Sequence, residues 1–122
     1  MEEKTVLEGN RLIAEFMGVK IGIDLYAWRI GAATVPLRDE HLAYHKEWGW
    51  LMPVVEKIER EHGKGVAIEG YGVIITSFSN EDPRKPPFRI ATHKKTKIEA
   101  VWQAVVDFIQ WYSSQSKQTL HT

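Results

Sequence analysis

The sequence predicts a mixed fold of helices and strands, of the α/β (α+β) class, arranged as a three-layer α/β/α sandwich. Two observations support this prediction: three segments carry apolar residues at helical spacing, and the segments between them hold short β-prone runs. The runs at 66–68 and 73–76 are apolar at consecutive positions, which favours a sheet covered on both faces. We therefore expect three helices packed around a small three- or four-stranded sheet, in a single domain spanning residues 1–122.

The first and last helices share a start signal, the Thr-x-x-Glu capping box, in which both side chains satisfy free backbone N–H groups. Thr5 and Thr96 head the two boxes, and Gly18 is the expected stop of the first helix because glycine accepts the left-handed conformation there. Chain ends without apolar anchors fray, and we expect this for residues 1–4 and 114–122.

The second helix is predicted over about residues 38–62, where side chains at alternating spacings of three and four share one face. These side chains are His41, Tyr44, Trp48, Leu51, Val55 and Ile58. Pro53 removes a backbone donor and clashes with the preceding turn, so we expect a kink or break between Gly49 and Pro53.

Four short strands are predicted between the helices, with residues 31–36 as a connection and the proline-rich residues 79–87 as a surface loop. The strands are expected at 19–25, 66–68, 73–76 and 88–92.

The composition excludes several classes of function. The chain has no cysteine, so it forms no disulfide and no thiolate site. Its 16 basic and 16 acidic residues balance, and no signal peptide or membrane-spanning run is visible, so a cytoplasmic protein of the bacterial host is expected. No nucleophile elbow, phosphate loop or dinucleotide fingerprint occurs, so we expect neither enzymatic activity nor a cofactor.

Three stretches resemble a known family. They are NRLIAEFMG at 10–18, YHKEWGWLMPVVEKIE at 44–59 and TKIEAVWQAVVDFIQWY at 96–112, about a third of the chain. These stretches resemble the phage ABA sandwich domain, a family of small phage- and prophage-encoded proteins of Bacteroides-like bacteria. The resemblance implies an α/β/α sandwich and a phage or prophage origin, and it implies no established activity. Residues 19–43 and 63–95 depart from the family.

The basic residues are unevenly distributed along the chain. Six of them and no acid lie between positions 84 and 97, which leaves 10 basic and 16 acidic residues elsewhere. The run ends at the start of the last helix, where free N–H groups and the helix dipole favour an anion. The predicted ligand-binding residues are Arg89, His93, Lys94, Lys95, Thr96 and Lys97, and Arg84 and Lys85 belong to the same run. The partner would be a nucleotide-like ligand, a nucleic acid backbone or an acidic protein. The alternative is a solvated loop whose lysines keep an edge strand from pairing.

The tryptophans suggest a second class of function, self-association without a small-molecule ligand. Trp48 and Trp102 lie on helical apolar faces and are expected in the core. Trp50 and Trp111 lie off those faces, so we expect them at an interface, and five tryptophans in a chain of this size favour a homodimer.

Two histidines carry the only metal-like spacing. His41 and His45 stand four residues apart on the predicted second helix, which lets two imidazoles share one ion. Because His41 also lies on the apolar face, a packed histidine explains it better, and we expect no metal. The sequence thus predicts a non-enzymatic binding module of phage or prophage origin, for which counter-defence is a natural role by genomic analogy.

Overall fold

The computed structural model describes residues 3–20, 22, 25–30, 33–77 and 89–120. In this part of the chain three α-helices and five strands form a mixed α+β structure, which confirms the predicted class. The elements are, in order, α1 (Glu3–Met17), β1 (Leu25–Ile30), β2 (Ala33–Arg38), a 3-10 turn (Asp39–His41), α2 (Trp48–His62), β3 (Lys64–Glu69), β4 (Gly72–Ser77), β5 (Arg89–His93) and α3 (Lys97–Leu120).

Helix ends follow the sequence signals at two of three positions. Gly18 has a φ of 73° and ends α1, and Thr96 caps α3 by accepting a 3.2 Å hydrogen bond on Oγ1 from the backbone N–H of Glu99. Thr5 lies inside α1, which begins at Glu3, so the first capping box is not a cap.

The second helix begins ten residues later than predicted. Residues 39–41 form the 3-10 turn and residues 44–46 a further turn, so His41 and Tyr44 do not belong to α2. The helix also runs without interruption through Pro53, so the predicted break is wrong. Pro53 is tolerated because α2 starts only one turn before it, and Gly49, whose carbonyl loses a donor, is exposed to water.

The strands form two antiparallel sheets. β1 and β2 form a hairpin, in which Leu25 pairs with Arg38, and the other sheet has the order β3-β4-β5. Of the strand expected at 19–25, residues 21, 23 and 24 lie outside the described residues; Lys20 forms an isolated bridge to Tyr26, and β1 begins at Leu25. The connection expected at 31–36 is wrong for its described residues, because residues 33–36 belong to β2. Pro36 is accommodated because β2 pairs on one side only.

Among the described residues, the helices cover one face of the three-stranded sheet and leave the other face open. The inner face carries Val73 and Ile75, which are fully buried. Helix α3 packs on β4 and β5, α2 packs on β3, and α1 packs on α3. On the outer face Ala67 and Ala91 are exposed and Ile74 is half-buried. The α+β sandwich is therefore built with α2 and α3 on one side of this sheet, whereas the consecutive apolar residues had favoured cover on both sides.

Candidate functional site

The start of α3 is joined to a turn of the sheet. The backbone N–H of Lys94 donates a 3.2 Å hydrogen bond to the carbonyl of Tyr71, in the turn between β3 and β4. Gly70 has a φ of 56°, which lets this turn close tightly. Tyr71 is 56% exposed, the largest exposure among the large hydrophobic residues that the structure describes. The backbone of an exposed aromatic residue is therefore joined to the basic segment.

Five of the six predicted ligand-binding residues lie together at this end of the sheet. They are His93, Lys94, Lys95, Thr96 and Lys97, and all five are exposed. We call these five residues and Tyr71 the basic surface. Its lysines have free access to solvent, and the first turn of α3 adds backbone N–H groups that no helical carbonyl accepts.

Arg89 lies apart from this surface. It pairs with Thr76 at one end of β5, whereas His93 pairs with Gly72 at the other end. Four residues of extended chain separate the two positions by about 13 Å. Arg89 therefore does not join the lysines around one small anion, and Arg84 and Lys85 lie outside the described residues.

Acidic residues border the basic surface. Glu69 pairs with Gly72, which pairs in turn with His93, so this carboxylate lies two strands away from the histidine. Glu99 lies half-buried in the first turn of α3, where it complements the helix dipole. Lys94, Lys95 and Lys97 form no ion pair with any described residue. Their charges are consequently available to a partner.

Both tryptophans predicted at an interface are half-buried and packed on the core. The ring of Trp50 meets Tyr44 edge-on at 5.2 Å, and the ring of Trp111 lies 5.8 Å from Phe108. Trp102 is fully buried as predicted. Trp48, predicted in the core, is 40% exposed because it is the first residue of α2 rather than part of its apolar face.

A buried polar cluster joins α1, α3 and the turn before α2. Trp102 Nε1 donates to Asn10 Oδ1 at 2.9 Å, and Asn10 Nδ2 donates to the carbonyl of Leu42 at 3.1 Å. Asn10 Nδ2 also lies 3.0 Å from His45 Nδ1. The indole is only a donor and the carbonyl only an acceptor, so the amide orientation is fixed and His45 Nδ1 must accept. Burial, and then the charge of Lys46, lower the pKa of His45, which keeps the ring neutral as this bond requires.

His45 was expected on a helix with His41, but it lies in a turn and its ring faces Asn10. The role of Asn10 was not predicted. An asparagine in the middle of a helix, directly after a glycine, was the available signal, because both residues are poor helix formers.

A cavity of about 340 Å³ lies where the three helices meet. Lys57 reaches across it, donating a 2.6 Å hydrogen bond to the carbonyl of Phe16 with its ammonium 4.6 Å from the centre of that ring. His62 lies 4.6 Å from Tyr112, and burial, followed by the charge of Lys57, lowers the pKa of its imidazole. Because Lys57 satisfies a carbonyl at the end of α1, we assign it a capping role.

The described residues contain no group of three or more histidines and carboxylates placed to hold a metal ion. None of the described helices combines the length and apolar character that crossing a bilayer demands.

Comparisons with protein-family models, with curated proteins and with solved structures give no match for this chain.

Proposed function

We propose that the protein is a non-enzymatic binding module that recognises an anionic partner through the basic surface. The observation that carries the proposal is the hydrogen bond from the Lys94 N–H to the Tyr71 carbonyl, because it joins the backbone of an exposed aromatic residue to the basic segment at the start of α3.

The chemistry of this surface favours a partner that carries phosphate groups and planar bases. Lysine ammonium groups form charge-assisted hydrogen bonds with phosphate oxygens. An exposed tyrosine offers a face on which a base stacks, which contributes about 1–3 kcal/mol per base in proteins that bind single strands. A nucleic acid strand or a nucleotide-like ligand uses both features, whereas an acidic protein surface uses only the charges.

The biological setting is proposed from the family resemblance. The three stretches that resemble the phage ABA sandwich domain support a phage or prophage accessory protein acting in the cytoplasm of a bacterial host, and counter-defence would suit such a protein. A second candidate function, self-association, is favoured by the open face of the three-stranded sheet.

The test is a titration of the protein into a fluorescent single-stranded oligonucleotide and, separately, into a labelled adenine nucleotide. We expect affinity for the oligonucleotide to fall by about tenfold or more between about 50 and about 200 mM NaCl, because released counterions drive phosphate binding. The double variant Lys94→Ala/Lys95→Ala should lose most of this binding, and Tyr71→Leu should weaken it while keeping its salt dependence.

The matched control is Lys4→Ala/Lys46→Ala, which removes two exposed lysines and the same charge from other parts of the chain. It should bind as the wild type does. Equal binding by both double variants would refute the proposal, because the attraction would then come from general charge rather than from this surface.

A further inference from the structure

The central strand of the three-stranded sheet is apolar on both faces. A strand whose outer face is solvated normally alternates apolar and polar residues, and consecutive apolar residues indicate cover on both faces. In β4 the residues Val73 and Ile75 point inward and are fully buried, while Ile74 between them points outward. Nothing in the described part of the chain supplies the second cover.

The outward apolar side chains form a row across the whole sheet. Ile74 pairs with Ala67 of β3 on one side and with Ala91 of β5 on the other. Paired residues of an antiparallel sheet share a face, so the three side chains are neighbours. A shallow cavity of about 230 Å³ overlies this row. A flat partner surface therefore fits here.

The charged residues of this face stand at opposite corners. Glu69 lies at the end of β3 beside the basic surface, and Arg89 lies at the far end of β5. Neither forms an ion pair with a described residue. Two strand spacings and four residues of extended chain place them about 16 Å apart, so they do not reach each other within one chain.

We infer that the outer face of the β3-β4-β5 sheet is an interface between two copies of this chain. In this arrangement the outer faces of the two sheets stack on each other, and a two-fold axis lies between them, perpendicular to the line from Glu69 to Arg89. The axis places the Glu69 corner of one copy over the Arg89 corner of the other. Each Glu69 then faces Arg89 of the other copy, so two ion pairs form and the two Ile74 side chains pack near the axis. The strands of the two sheets cross steeply, as in orthogonal sheet packings.

This interface is small and reversible. Its face measures about 17 Å by 14 Å, well below the roughly 800 Å² per partner of a standard interface, so it dissociates on dilution. The same two-fold axis brings the basic surfaces of the two copies to one end, where their lysines repel each other at low ionic strength. Association is therefore best measured at about 150 mM salt.

The experiment is sedimentation of the wild type from about 20 µM to about 1 mM, with charge-swap variants at the two corners. Glu69→Arg places two like charges opposite each other, and Arg89→Glu does the same with the opposite sign. We expect each single swap, and Ile74→Lys, to raise the dimer dissociation constant by about tenfold or more. The double variant Glu69→Arg/Arg89→Glu should return to within about threefold of the wild type, because the pairs form again with reversed sign.

Leu25→Lys is the control, since it charges another exposed apolar side chain away from this face and should leave association unchanged. Circular dichroism confirms that each variant is folded. A wild type that stays monomeric throughout the range overturns the inference. A double swap that is weaker than either single swap, or dimerisation unaffected by the three single substitutions on this face, overturns it as well.

Discussion

Trp102 and Asn10, ninety-two residues apart in the chain, are joined by a buried hydrogen bond of 2.9 Å from the indole Nε1 to the amide Oδ1. Asn10 is the only buried polar or charged residue in the part of the chain that the structure describes. Its amide satisfies Trp102, the carbonyl of Leu42 and His45 together. The packing of α1 on α3 and on the turn before α2 therefore depends on one side chain.

Asn10→Ala should lower the free energy of unfolding by about 2–3 kcal/mol, because a buried donor and a buried acceptor lose their partner. Urea denaturation measures the change. Gln103→Ala serves as the control, since its amide bonds to Asp107 at the helix surface, and it should cost about 0.5 kcal/mol or less. Equal costs for the two variants would contradict the role of Asn10.

Gly9→Ala should destabilise the protein by about 1–3 kcal/mol, although alanine is the better helix former. A methyl carbon there would lie 2.6 Å from Trp102 Cη2 and closer still to Cζ2. Gly49→Ala, at an exposed position of α2 with no atom within 4 Å, should instead stabilise by about 0.5–1 kcal/mol. If α1 and α3 pack as described, thermal unfolding will show a lower midpoint temperature for Gly9→Ala and a higher one for Gly49→Ala than for the wild type.

Thr96→Ala should cost about 1 kcal/mol, because the Glu99 N–H loses its cap at the start of α3. Thr5→Ala should change stability by less than half of that amount, since Thr5 is an exposed residue inside α1. The two substitutions occur in the same Thr-x-x-Glu pattern. A comparison of their denaturation midpoints therefore shows whether the pattern alone stabilises a helix or whether the capping hydrogen bond seen at Thr96 is required.

Stability should fall as the pH drops below 6.5. The pKa values of His45 and His62 are lowered in the folded protein from their ordinary value of 6.5, so below that pH the unfolded chain binds more protons than the folded chain does. Their stabilising contribution is present above pH 6.5 and is lost as the pH falls towards the lowered values. Denaturation between about pH 8 and about pH 5 measures this slope.

His45→Gln should reduce the pH dependence, because glutamine does not titrate and its carbonyl oxygen accepts from Asn10 without a proton exchange. His41→Gln is the control, since His41 is exposed and is not a partner of Asn10 in the structure. The slope should survive that change. A slope that His45→Gln leaves intact would assign the effect to His62 alone.

The parts of the fold that the sequence predicts correctly are those fixed by neighbouring residues. The cap at Thr96 and the left-handed Gly18 each depend on a few adjacent positions. The start of α2 was missed because His41 and Tyr44 continue its apolar spacing by coincidence. Leu42, Ala43 and Tyr44 are all buried in the connection between the 3-10 turn and α2, so this segment reaches the core without being part of the helix.

The candidate site also has one part that the sequence predicts and another part that depends on how distant segments pack. His93 to Lys97 lie together because they are adjacent in sequence, and the sequence therefore identified them. The contribution of Tyr71 and the separation of Arg89 depend on how β3, β4 and β5 pair, which no local pattern determines. Trp50 and Trp111 were placed by helical spacing alone, which gives a direction around the helix and does not say what packs against it.

The contact of Gly9 and Asn10 with Trp102 also bears on how the chain folds during its synthesis. Both residues are poor helix formers and they lie in the middle of α1, so the isolated segment is not expected to hold a helix. The ring on which they dock is made only when the ribosome reaches position 102. Helix α1 leaves the ribosome before α2 and α3 and should nevertheless be among the last elements to become ordered, so a nascent chain stalled before Trp102 should leave α1 open to proteases.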